Sequence, residues 1–243
     1  MSDRGPEVLP LGHDGLVVRF ALHLSEAAND AVLGFAEAAR VANVPGLLEV
    51  VPALASVYLR YDPARGEAFG KDVSDLLETD DWYSRGRPPA KRCWEIPCSF
   101  EAADAPELGA VARATSQTPD AAIAEVLATE VRVLAIGFAP GQPYLGLLPP
   151  AWDQPRRREL TEVPAGALVT ALRQLVLFAN PSPTGWKQIG RTAFRPFQGD
   201  RDDPVALRTG DAVRFIRVDG ATLAGIEERD HSGLGGAKLV ERS

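Results

Sequence analysis

Residues 131–150 read VRVLAIGFAPGQPYLGLLPP, an apolar run followed by a segment dense in glycine and proline. The run at 131–136 predicts a buried strand. The fourteen residues after it contain three glycines and four prolines, with Phe138 and Tyr144 between them. Proline fixes the backbone φ angle and glycine permits positive φ, so such a segment forms a rigid, sharply bent loop. Rigid loops often carry ligand contacts, so this one is a candidate pocket wall, with a bland surface turn as the alternative.

Short apolar runs separated by turn residues continue beyond this loop. The runs ALVTAL, LVLFA and DAVRFIRV, at residues 167–172, 175–179 and 211–218, each fit one strand. Many short strands with frequent turns are typical of a β-barrel or a β-sandwich. The mixed polar composition from Asp219 onward predicts a loosely attached or partly extended tail.

The first 85 residues show a different pattern, in which strand-like and helix-like segments alternate. Residues 15–24 have strand periodicity, and Ser25 can cap a helix that follows directly. Residues 47–51 and 56–62 predict two further strands, and a second amphipathic helix comes after them. The order βαββα predicts a compact α+β unit with its helices on one side of a small sheet.

A change of composition separates these two parts. The stretch YSRGRPPAKR, at residues 83–92, combines Gly86, Pro88 and Pro89 with basic residues, as linkers often do. We therefore predict an α+β domain at 1–88 and a β-rich domain at 89–243, which includes the polar tail from about residue 219.

Composition excludes some classes of function. The 243 residues are 45 % hydrophobic and 24 % charged, with a formal net charge of −7. This acidic balance argues against nucleic acid or an anionic membrane as the main partner. The two cysteines, the lack of a charged-then-apolar leader in residues 1–10, and the absence of a long apolar run predict a cytoplasmic protein.

Several standard catalytic motifs do not fit the sequence. A phosphate-binding P-loop needs a lysine and a hydroxyl residue directly after its second glycine, and no lysine follows Gly141 or Gly146. The prolines after residue 142 would interrupt the helix that a dinucleotide-binding turn requires. The histidines His13, His23 and His231 lie near the two ends of the chain, without metal-ligand spacing, so no metal site is predicted.

What remains is a set of aromatic and basic residues on turns. Arg156 lies in QPRRRELTEVP, and Trp186 and Arg191 lie in NPSPTGWKQIGRT. Guanidinium groups beside aromatic rings suit a carboxylate or a phosphoryl group. Taken alone, Trp186 also fits a core position, and the arginine run also fits a solvated surface.

Three ordered segments carry a resemblance to a known family. IGFAPGQPYLGLLP, VPAGALV and SPTGWKQIGRT, followed by LRTGDAVRF, resemble the family of the 5-oxoprolinase B subunit, also called the Kip inhibitor or allophanate hydrolase subunit 1 family. VPGLLEVVPALASVYLRYDP in the first unit agrees with it. The resemblance covers roughly residues 15–218. It implies a small α+β domain followed by a cyclophilin-like β-barrel.

The resemblance also implies partners and an activity. It implies a second subunit of the same system (the C component, or Kip antagonist-like), a third lactam-binding subunit, and ATP-dependent opening of 5-oxoproline to glutamate. Related systems act on allophanate or other urea derivatives. ATP is expected as a cosubstrate, bound at a partner subunit or shared with it.

Site residues follow from the matched motifs. Arg156 and Arg191 are predicted to contact an anionic group during catalysis. The predicted pocket residues are Phe138, Gly141, Tyr144, Ser182, Trp186 and Thr192. The chain departs from the family where Gln142 replaces a usual aromatic residue and where a second Pro-Arg pair is missing near Glu159.

Two hypotheses of different class therefore compete. The first is a non-autonomous subunit of an ATP-dependent amide or lactam hydrolase. The second is a regulatory protein that inhibits a sensor histidine kinase and has no catalysis of its own. A prolyl isomerase activity would rest on the barrel alone, and a fold does not determine function.

Overall fold

The computed structural model describes residues 5–242; residues 1–4, part of the segment considered for a leader, lie outside it. The chain divides into two compact units, Met1–Pro89 and Ala90–Ser243. Within residues 5–242, no helix is both long enough and apolar enough to cross a lipid bilayer.

The first unit is a four-stranded antiparallel sheet with two helices. In chain order its elements are β1 (Glu7–Pro10), β2 (Gly15–Arg19), α1 (Glu26–Val41), β3 (Leu47–Pro52), β4 (Ser56–Tyr61) and α2 (Gly66–Leu77). The strands are arranged β1-β2-β4-β3. The expected order βαββα lacked β1, a four-residue strand that ends in Pro10 and pairs with β2.

Apolar side chains of the helices and the sheet form the core of this unit. Ser25 caps α1, since its Oγ accepts a hydrogen bond from the backbone N–H of Ala28 at 3.2 Å. Phe35 of α1 is fully buried, and its ring meets Trp82 edge-on at 5.3 Å between centroids. The amphipathic pattern of α1 therefore places its apolar face on the sheet.

The second unit is built around a closed β-barrel. In chain order its elements are β5 (Arg92–Ser99), α3 (Leu108–Ala114), α4 (Pro119–Ala128), β6 (Val131–Ile136), β7 (Pro143–Gly146), β8 (Thr161–Val163), β9 (Ala167–Ala171), β10 (Gln174–Leu177), β11 (Ser182–Thr184), β12 (Lys187–Arg191), β13 (Ala212–Val218), α5 (Gly220–Arg229) and β14 (Lys238–Glu241). Seven strands run β12-β9-β10-β7-β6-β13-β5, and the pairing of β12 with β5 closes the ring. A barrel, rather than a sandwich, is therefore confirmed.

Alternation along β9 and β10 creates two separate apolar layers. Leu168 and Leu175 join the large core cluster of the unit. Their neighbours Val169 and Val176 point to the opposite face and join a smaller cluster that contains Trp186 and touches Tyr144. Because side chains alternate across a strand, the same two strands fill the large core and support a second apolar surface.

The residues after Asp219 correct the prediction of a loosely attached tail. They form helix α5, capped by the Asp219 carboxylate, which accepts a hydrogen bond from the Thr222 N–H at 2.6 Å. Strand β14 then pairs antiparallel with β5. The tail is polar because most of its side chains face solvent, although its backbone belongs to regular elements.

Candidate functional site

A cavity of about 240 Å³ lies in the second unit, beside the smaller apolar cluster. Its walls come from the loop after β6, from β7 and β10, from the segment before β8, and from the segments around β11. They combine aromatic and aliphatic side chains with two arginines and one buried amide. The lining residues are Phe138, Gln142, Tyr144, Arg156, Arg157, Leu160, Val176, Phe178, Pro183, Thr184, Gly185 and Trp186.

The glycine- and proline-rich loop forms one side of the mouth. The N–H of Gly137 donates to the carbonyl of Gln142 at 3.0 Å, which closes a tight turn. Gly141 has φ +69°, and a Cβ at this position would lie 2.9 Å from the carbonyl oxygen of Pro196. Glycine is therefore required here. Phe138 also has positive φ, at +71°, and leaves 79 % of its surface exposed at the rim.

Trp186 is the centre of the opposite wall. Its ring meets Tyr144 edge-on at 6.2 Å between centroids. The guanidinium carbon of Arg156 lies 4.9 Å from the centre of the same ring. Cation–π contacts of this kind hold a guanidinium group in place without neutralising its charge.

The two arginines of the cavity differ in how their charge is balanced. Arg157 forms an ion pair with Glu107, at 2.7 Å between Nη1 and Oε1, and donates to the carbonyl of Trp186. Arg156 has no carboxylate within ion-pair distance anywhere in residues 5–242. Of the lining residues just named, none is Asp or Glu. The cavity therefore carries an unbalanced positive charge and suits a small anion.

The structure brings together only part of the predicted set of site residues. Phe138, Tyr144, Arg156 and Trp186 line this cavity together. Gly141 shapes the loop without lining the cavity. Ser182 lies next to the lining residue Pro183, and its hydroxyl donates to the carbonyl of Asn180 at 3.3 Å. Thr192 is fully buried outside the cavity, and its N–H donates to the carbonyl of Gly166.

Arg191, the second predicted anion-binding cation, does not line this cavity and is paired with two carboxylates. Its Nε donates to Asp104 Oδ1 at 2.6 Å, and its Nη1 forms an ion pair with Glu227 of α5. Burial opposes the charge of Arg191, but the hydrogen bonds to these two carboxylates outweigh it, so the pKa of Arg191 is raised. These hydrogen bonds stabilise the fold, because they connect β12 to the C-terminal helix.

Replacing Arg191 with alanine is expected to lower the free energy of unfolding of the second unit by about 1–3 kcal/mol, since two charge-assisted hydrogen bonds are lost and Asp104 is left buried without its partner. Chemical denaturation measures this change. Arg217→Ala on the exposed face of β13 is the control and should change stability by less than about 0.5 kcal/mol. Equal stability of the two variants would contradict the structural role of Arg191.

Sequence reasoning missed the residues that complete the cavity. Val176 and Phe178 look like ordinary core residues of a strand, and alternation along β10 is what turns them toward the cavity. Gln142 was visible only as a departure from a family pattern. Its side chain is 1 % exposed, which a polar residue in a turn-rich loop does not predict.

Comparison with known proteins places this chain in a defined family. A family model described as the carboxyltransferase domain, subdomain C and D, matches residues 6–207, and the chain belongs to this family. The 5-oxoprolinase B subunit of Bacillus subtilis (strain 168) is 29 % identical over 226 residues, covering 87 % of this chain and 92 % of the relative. That of Escherichia coli O157:H7 is 33 % identical over 184 residues, covering 74 % and 82 %. The resemblance carried by the sequence motifs is thereby confirmed.

Solved structures agree on the fold. The crystal structure of TTHA0988 matches with a TM-score of 0.68 at 34 % identity, covering 85 % of this chain and 40 % of the TTHA0988 chain. This chain thus spans less than half of that protein. The Kluyveromyces lactis urea amidolyase matches with a TM-score of 0.69, covering 100 % of this chain and 17 % of the enzyme. At 17 % identity, this second likeness concerns the fold alone.

Proposed function

We propose that this chain is a non-autonomous subunit of an ATP-dependent hydrolase of the 5-oxoprolinase type. Its substrate would be a small amide, either a lactam such as 5-oxoproline or a related urea derivative such as allophanate. The active assembly would require a second subunit and a third, lactam-binding subunit. We also propose that the closed barrel is of the cyclophilin-like type.

One observation carries this proposal: Arg156 is held on the face of Trp186, in a cavity without acidic residues. A carboxylate of the substrate would meet a preorganised guanidinium group there, and the aromatic walls would enclose the rest of a small molecule. The volume of about 240 Å³ suits such a ligand. A preorganised cation also stabilises negative charge that develops on a carbonyl oxygen when an amide is activated.

The residues of this cavity do not fit ATP. The volume lies below the range of about 300–1,000 Å³ that is typical of sites for drug-sized ligands, and its walls hold no glycine-rich phosphate cradle. We therefore assign no step of ATP chemistry to these side chains and propose that the nucleotide binds at a partner subunit. The role of this chain would be to bind and orient the amide.

The test is turnover by the assembled complex. Arg156→Ala should raise KM for the amide about 10–100-fold, since a charge-assisted contact is lost. Arg158→Ala removes the same charge two residues away, outside the cavity, and should change KM by less than about twofold. Glutamate release from 5-oxoproline, coupled to ADP formation, measures both.

A different outcome would favour the regulatory hypothesis. If no complex forms with the second subunit, or if the assembled complex does not turn over the amide, the hydrolase proposal fails. Inhibition of a sensor histidine kinase by the purified chain would then support a regulatory binding protein. If the Arg156→Ala complex turns over lactams as well as the unaltered complex, the hydrolase proposal stands and the role given to Arg156 is wrong.

A further inference from the structure

The buried amide of Gln142 is a polar feature of the cavity that the proposed function leaves unused. Gln142 lines the cavity, yet only 1 % of its surface is exposed. Its backbone is fully engaged, because its N–H donates to the carbonyl of Ala139 at 3.1 Å and its own carbonyl accepts from Gly137 at 3.0 Å. Its side-chain oxygen Oε1 has no hydrogen-bond partner in the part of the chain that the structure describes.

A buried amide oxygen without a partner costs free energy, and the surroundings fix this one in place. Pro143 follows Gln142 directly, and Gly141 before it packs against Pro196 and Phe197, so the backbone has little freedom to move the side chain out. A buried polar group without a partner needs an explanation, and one that lines a cavity can find its missing partner in a ligand bound there. The other walls of the cavity, from Tyr144, Val176 and Trp186, are largely apolar.

The chemistry of the side chain defines what it can recognise. A primary amide offers an acceptor oxygen and a donor NH₂ group, and rotation about the last side-chain bond exchanges them. A lactam holds its N–H and C=O on the same edge of the ring, so the two amides can form a pair of antiparallel hydrogen bonds. An ester or a ketone of the same shape lacks the N–H and can form only one.

We propose that Gln142 is a specificity-determining residue that selects ligands with an amide N–H, while Arg156 binds their carboxylate. This inference rests on the proposed function and deepens it, since it divides recognition between two side chains of the cavity lining. The ligand is then a small molecule with one carboxylate and one cis amide edge. A buried polar group rejects a ligand that leaves it unpaired more strongly than an apolar wall does.

The test compares matched ligands and matched variants of the full chain by titration calorimetry. The ligands are 5-oxoproline and its carbocyclic ketone analogue, in which CH₂ replaces the ring N–H. The unaltered chain should prefer 5-oxoproline roughly tenfold, and Gln142→Met should reduce this preference to within about twofold. Gln174→Met is the control, because Gln174 is also buried with an unpaired Oε1 in the same barrel but does not line the cavity.

The outcomes separate this inference from the function on which it rests. If 5-oxoproline binds in an Arg156-dependent way but Gln142→Met keeps the tenfold preference, the role of Gln142 is wrong and the proposed function stands. If neither ligand binds the chain, alone or in the assembled complex, both are overturned. A loss of preference in Gln174→Met equal to that in Gln142→Met would assign the effect to general loosening of the barrel and would overturn the role of Gln142.

Discussion

Replacing Trp186 with alanine is expected to lower the free energy of unfolding of the second unit by about 3–5 kcal/mol and to abolish ligand binding at the cavity. Trp186 is 6 % exposed and belongs to the apolar cluster behind β9 and β10. The substitution leaves a hole in this cluster. It also removes the ring that meets Tyr144 and supports the guanidinium group of Arg156.

Chemical denaturation and calorimetric titration with 5-oxoproline measure the two effects of Trp186→Ala. Trp82→Ala is a matched control, because Trp82 is 3 % exposed in the core of the first unit, where its Nε1 donates to the carbonyl of Leu77. It should destabilise that unit by a similar amount and leave ligand affinity unchanged. Full ligand affinity in folded Trp186→Ala would show that this ring is not a wall of the site.

The second large effect is expected for Gly185→Ala. A Cβ at position 185 would lie 2.5 Å from the backbone carbonyl oxygen of Arg157, and no movement of a side chain relieves that contact. The same residues are joined by a hydrogen bond from the Arg157 N–H to the Gly185 carbonyl at 2.7 Å. The added methyl group must therefore displace the arginine-bearing segment from the wall of the cavity.

We expect Gly185→Ala to lower stability by about 1–3 kcal/mol and ligand affinity by about 10–100-fold, because the segment that carries Arg156 shifts. Gly199→Ala is the control: a Cβ there meets only Phe197, at 4.0 Å, and the position is exposed. Denaturation and titration of the two variants make the comparison. An affinity loss of similar size in both would argue against close packing at Gly185 as its cause.

Short elements explain where the sequence-based description of the fold was incomplete. Strand β14 is four residues long and exposed throughout, so it has no alternating pattern, and its pairing with β5 makes it a strand. Helix α5 buries little more than Leu223. Hydrophobic periodicity reports burial, so elements that bury few side chains leave almost no trace of it.

The arginines show a similar limit at the site. Arg156 and Arg191 both occur on turn-rich segments near aromatic residues, and the sequence gives no reason to assign them different roles. Arg191 donates hydrogen bonds to Asp104, which is 87 residues away in sequence, and to Glu227, which is 36 residues away. Arg156 stacks on Trp186 and forms no ion pair with a carboxylate among the described residues. Partners so distant in sequence are set by how the strands close into a barrel.

The local sequence alone determined the rigid loop, the strands of the second unit and the family. Glycine and proline spacing predicted the rigid loop at 137–150, short apolar runs predicted the barrel strands, and ordered motifs indicated the family, because backbone restriction and periodicity act over a few residues. Only the tertiary structure decided which polar groups remain without partners. Among the described residues, Arg157 forms an ion pair with Glu107, whereas Arg156 has no carboxylate within ion-pair distance. Gln142 is buried with its amide oxygen unpaired. Each of these outcomes depends on atoms from distant segments of the chain.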